Sequence, residues 1–139
     1  MTTPTPIAEL EAALGSAPEP TELSGVLAAA WDAFDLVGRV ADAVTWDGGG
    51  DELEAMLAAQ ACSAGRQLLP LPEHGRPFDL PPIPPGAAAL VPHVRLLRLV
   101  QAALDRVAAA ESGEGRAVLE RAAGHARSGA DALDAVRAR

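Results

Sequence analysis

The sequence predicts an all-α protein: a four-helix bundle with a short extra N-terminal helix and a long proline-rich crossover, about residues 70–86, between helices three and four. Three observations predict it. Apolar residues fill 49% of the chain while aromatics make up 3%, so the core has to be assembled from Leu, Val and Ala. Such side chains suit closely approaching helices better than a sheet, whose strands favour β-branched and aromatic residues. Apolar positions recur every three or four residues through four long segments, and none alternates with the period of two of a half-buried strand. With 139 residues the chain can bury one hydrophobic core and not two. Residues 1–139 therefore read as one domain, with 1–5 as a disordered end.

The first helix is expected over about 6–15. Thr5 can cap it, Pro6 fits the first turn where a missing N–H costs nothing, and Ile7, Leu10 and Leu14 recur at helical spacing. The segment GSAPEP then ends it. Helix two is expected from about Thr21 to Val44. Leu23, Leu27, Ala30, Trp31, Phe34, Val37 and Ala41 form one broad apolar face, and Ala29, Ala33, Leu36 and Val40 a second. Only Asp32, Asp35, Arg39 and Asp42 remain for solvent. A helix apolar on most of its circumference is central in a fold or shared with another chain, so helix 21–44 is the expected self-association surface.

The glycines of WDGGG, residues 46–50, permit the positive φ of a helix stop. A phosphate-binding loop is excluded there, because no strand precedes it and no lysine follows. Asp51 and Glu54 form a capping box that opens helix three. Leu53, Met56, Leu57, Ala61, Ala64 and Leu68 are its expected core stripe, to about Leu69.

Residues 69–86 then hold seven of the twelve prolines. An exposed proline ligand is a poor reading, since Leu69, Leu71, Phe78, Leu80 and Ile83 recur too often. At ~3.1 Å per residue, about seventeen residues reach ~50 Å, more than the ~30 Å of a twenty-residue helix. The stretch can therefore run the length of the bundle and let helices three and four lie parallel. Helix four is expected over roughly 87–110, with Leu90, Val94, Leu97, Val100, Leu104 and Val107 inward, Arg95, Arg98, Asp105 and Arg106 opposite, and Pro92 near its first turn. The break ESGEG, with Ser112 as a cap, precedes helix five at about 115–138. Its face of Val118, Ala122, His125, Ala126, Gly129, Leu133 and Val136 is thin enough to admit a large neighbour such as Trp31.

Charge narrows the function. The net charge is −8, which repels phosphate and anionic membrane surfaces alike, so neither nucleic acid nor membrane is an expected partner. Residues 1–50 carry eight acids against one arginine, whereas 87–139 carry six acids against eight arginines. The expected use of Arg95, Arg98 and Arg106 is pairing with the acids of helix two, or docking a carboxylate-bearing partner. All eleven basic residues are Arg and Asn is absent, a composition of a GC-rich, bacterial genome. One cysteine, Cys62, makes no internal disulfide and has no metal-ligand pattern around it. The N-terminus lacks a basic signal region and no apolar run reaches ~18 residues, so the expected location is cytoplasmic.

Chemistry finds little footing. His74, His93 and His125 stand at no metal-binding spacing, and no Glu-x-x-His occurs, so no metal or cofactor is expected. Arg121 and His125, one turn apart, resemble the Arg–His pair of helical-bundle ribonucleases. The spacing is one residue shorter than in that family, and Ala122 stands where a polar residue belongs. His125 is instead expected as a polar group at the core edge. With no catalytic set, the expected function is a non-catalytic protein–protein interaction module: an acidic adaptor or regulatory subunit, homodimeric, with Trp31, Leu36, Val40, Trp46, Arg95, Arg98 and Arg106 as its interface. Two other expectations stand beside it. One is an immunity- or antitoxin-like inhibitor of a basic partner. The other is a binder of small apolar ligands against Ala122, Ala126 and Gly129.

Overall fold

The computed structural model describes residues 6–15, 23–45, 52–70 and 90–137. They form five helices: α1 (Pro6–Gly15), α2 (Leu23–Thr45), α3 (Glu52–Gln67), α4 (Val91–Ala109) and α5 (Gly113–Arg137). There is no strand among the described residues. Thr5, Trp46 with its glycine run, Asp51 of the capping box, and the proline-rich stretch beyond Pro70 lie outside them.

Local chemistry explains the visible ends. Helix α4 starts at Val91, later than expected, with Pro92 in its first turn. There the missing N–H removes no helical bond and the fixed φ suits the helix. Its last turn tightens, Ala110 donating to the Val107 carbonyl and Glu111 to that of Ala108. Gly113 then takes a φ of 64°, a left-handed backbone that glycine adopts without steric cost. Three residues of break leave α4 and α5 no choice but to fold back on each other.

Side-chain register gives the directions. Asp35 meets Arg66 and Gly38 lies against Cys62, so numbers rise on α2 as they fall on α3, and the two are antiparallel. Arg98 meets Asp131 and Leu97 lies against Gly129. Gly129 also faces Ala61 and Cys62, which puts Gly38, Cys62, Leu97 and Gly129 near one level. Arg106, in the C-terminal half of α4, donates to the Leu14 carbonyl at the C-terminal end of α1, an end that stands a short chain length before the start of α2. Helix α4 therefore runs against α2, and in the same direction as α3.

Around the molecule the order is α2, α3, α5, α4, each packed on the next, with α1 against both α2 and α4. Neighbours are thus antiparallel, as ridge-and-groove packing with short connections favours. Helices α3 and α4 face each other across the core. One apolar cluster joins all five, with Phe34, Leu14, Leu36, Leu96, Leu97, Leu104 and Leu133 its largest fully buried members.

Two expectations about packing change. On α2, Ala29, Ala33, Leu36 and Val40 of the second face are buried within the chain, as are Ala30, Phe34, Val37 and Ala41 of the first, while Leu27 and Trp31 are half-buried. Helices α1 and α4 pack on this helix as well as α3. Asp32 also goes inside, and Asp35 nearly so, leaving Asp42 as the exposed acid of that strip. In α3 the expected core stripe holds in part: Ala61 is buried and Leu68 packs against the core, but its large N-terminal members turn outward. The buried residues of α3 are Ala55, Ala58, Ala61, Cys62 and Gly65, while Leu53, Met56 and Leu57 face solvent. The reason is spacing between helix axes. Gly65 lies under the Phe34 ring, and a Cβ there would stand 2.6 Å from Phe34 Cε1. Only an Ala/Gly face lets α3 sit this close to α2 and α5, and large side chains on that face would hold the helices apart.

Candidate interaction face

The outward side of α3 carries Leu53, Met56 and Leu57, exposed at 65%, 47% and 45%. At spacings of three and four residues they form one stripe, continued by Gln60, Ala64 and Gln67. Gln67 donates through Nε2 to Ser63 Oγ at 3.2 Å. No charged residue lies within the stripe from Leu53 to Gln67, and exposed Glu52 borders its N-terminal end. The solvent sides of α4 and α5 differ, with Arg95, Arg98, Asp105, Glu114, Arg116, Glu120, Arg121, Arg127 and Asp131 exposed. Isolated surface leucines are ordinary, but three adjacent apolar side chains on an uncharged face are a contact surface in character.

Beside the stripe, α2 and α3 enclose a groove of about 480 Å³ lined by Phe34, Asp35, Gly38, Arg39, Asp42, Ala59, Ser63 and Arg66. Three of its charges are joined, Asp35 with Arg39 and Arg66. Asp35 accepts from Arg66 Nη1 at 2.8 Å and pairs with Arg39 Nη2 at 3.4 Å. The Arg66 guanidinium also lies 5.5 Å from the centre of the Trp31 ring, a cation–π contact that fixes its direction. This cluster joins α2 to α3 and borders the apolar stripe. Cys62, behind it, is buried, and desolvation pushes its thiol up to about 12, with Arg66 opposing. A thiol held neutral is a poor nucleophile.

The residues proposed from sequence are scattered. Leu36 and Val40 lie in the core at 1% exposure, so in the folded chain they present no surface. Trp31 is half-buried beside Arg66 instead of entering the thin face of α5. Of the small residues expected to line a ligand space, Ala122 and Ala126 are buried, and a Cβ at Gly129 would lie 3.1 Å from Leu97 Cδ1. Arg98 binds Asp131 of α5 at 2.8 Å rather than an acid of α2. Arg106 Nη2 donates to the Leu14 carbonyl at 2.6 Å, tying α1 to α4. Arg95 and Arg121 are exposed, and His125 is half-buried. His93 is buried at the start of α4. Trp46 lies outside the described residues.

Sequence reasoning missed Leu53, Met56 and Leu57 as surface because it sent the larger apolar stripe of helix three inward. The signal was present in Ala55, Ala58, Ala61, Cys62 and Gly65, a second stripe of small residues at helical spacing. Among the described residues no group of three His, Cys, Asp or Glu side chains is placed to hold a metal ion, and no helix is long and apolar enough to cross a membrane. Comparison with family models, curated proteins and solved structures returns no match. The described residues define the class: an all-helical protein whose α3 turns an apolar stripe to solvent.

Proposed function

We propose that the chain is a non-catalytic protein–protein interaction module, a small acidic adaptor or regulatory subunit that works in the cytoplasm. Its contact surface is the outward face of α3. The observation that carries this reading is the exposure of Leu53, Met56 and Leu57 together on a face without charge. Water gains when such a stripe is covered, and the joined Asp35–Arg39–Arg66 cluster beside it supplies a polar border of the kind that rims protein interfaces. The reading takes the chain as one four-helix bundle of α2 to α5, with α1 added and a proline-rich crossover over about 70–86. The parallel course of α3 and α4 supports that topology, because their connection has to return along the bundle.

The test is a Leu53→Glu/Leu57→Glu variant. It should keep the helical circular dichroism and melting temperature of the parent, since neither side chain packs in the core. It should also lose the parent's contacts, measured as self-association by sedimentation and as capture from a lysate of the source organism. A variant that matches the parent in both measurements refutes the reading.

A further inference from the structure

We infer that the occupant of this face is a second copy of the chain, docked through α3 in an antiparallel, two-fold pair centred near Gln60; this rests on reading the α3 face as a contact surface. Charge points to it first. Copies of a chain with net charge −8 repel each other, and an uncharged helix face is where two can meet with least repulsion. A strongly acidic or basic partner would gain nothing from Leu53, Met56, Leu57, Gln60, Ala64 and Gln67.

Shape points the same way. The face is bulky toward the N-terminus of α3 and small toward its C-terminus. A two-fold through Gln60 sets Leu53 level with the partner's Gln67, and Met56 and Leu57 beside the partner's Ala64. Each large side chain then meets a small or flexible one, and the contact closes on itself as an isologous interface must.

The border of the face is self-complementary as well. Gly38 lies level with Cys62 and Asp35 with Arg66, so Arg39 stands level with Ala61 and Asp42 with Ala58. The same two-fold brings exposed Asp42 opposite the partner's Arg39, and Arg39 opposite the partner's Asp42. A short helix pair falls at or below the ~1,200 Å² of the smallest standard interfaces, so the dimer is a weak one that forms at micromolar concentration or above.

Sedimentation velocity on the full chain, from low micromolar to millimolar concentration, should show a monomer–dimer equilibrium. Met56→Gln/Leu57→Gln should weaken it by about tenfold or more, and Asp42→Arg, which sets like charges together, should weaken it too. Gln60→Cys should form an interchain disulfide under mild oxidation, while Ala117→Cys on the exposed side of α5 should not. Buried Cys62 leaves that readout clean. A chain that stays monomeric and does not cross-link through position 60 overturns the second copy as occupant. The α3 face then stands or falls by the capture experiment, whose positive result would assign it to another protein. A dimer that survives the Met56/Leu57 change overturns both the two-fold pair and the α3 reading.

Discussion

Gly65→Ala places one methyl group where α2 and α3 come closest. The new Cβ would stand 2.6 Å from Phe34 Cε1 and 2.9 Å from Cε2, well inside van der Waals contact. The obstacle is a rigid ring, fully buried, and not the free end of a flexible chain. Either the ring turns into neighbours already at close packing, or α3 moves away from α2 and strains the Asp35–Arg66 bond. Overpacking of this kind costs about 1–3 kcal/mol, and the ring's rigidity puts the cost at the upper end. Replacing a helix-interior glycine returns about 1 kcal/mol. The net loss is therefore about 2 kcal/mol, a fall in melting temperature of roughly 5–10 °C for a domain of this size. Gly124→Ala supplies the control, because nothing lies within 4 Å of its Cβ position. It should gain roughly 0.5–1 kcal/mol. Urea denaturation of both variants, with Phe34→Leu added to Gly65→Ala as a relieving change, measures the effect. If Gly65→Ala proves as stable as Gly124→Ala, α3 does not present its small face to Phe34, and the outward stripe loses its structural basis.

Three further outcomes follow from the same packing. Leu57→Ala should change monomer stability by under about 1 kcal/mol, whereas Leu104→Ala, fully buried, should cost about 2–5 kcal/mol by urea denaturation. Asp35→Ala removes a carboxylate shared by two arginines and should cost about 1–2 kcal/mol. Asp131→Ala breaks a pair exposed at 42% and 57% and should cost under about 0.5 kcal/mol in the same assay. Cys62 should resist a thiol reagent in the native chain and react on unfolding. Below pH 9 its thiol is neutral in both states. Above that the unfolded chain loses the proton while the native chain keeps it to about 12, so the Cys62 contribution to stability falls as pH rises across this window.

The sequence by itself determined the number, order and approximate limits of the helices. Helical periodicity and the placing of Pro and Gly are local signals, and local signals suffice for elements formed by local hydrogen bonds. Pro6 and Pro92 in first turns and the break before Gly113 were legible for that reason. It also placed Leu97, Val100, Leu104 and Leu133 in the core, because each lies on the one large apolar face its helix has.

Only the tertiary structure decided between faces where a helix had two. Periodicity reports that α3 has an apolar stripe of large residues and another of small ones, but not which turns inward. That choice depends on how closely Phe34 of α2 and Gly129 of α5 approach it, residues distant along the chain. Gly65 admits the Phe34 ring and Gly129 faces Ala61 and Cys62, so the small stripe is buried and Leu53, Met56 and Leu57 are left in water. The same holds for charge pairs. Arg98 and Asp131 meet because α4 and α5 fold back in one register, and Asp35 and Arg66 because α2 and α3 do. Periodicity along one helix carries no register between two, so partners across helices, and the face left over for another molecule, emerge only when the helices are packed.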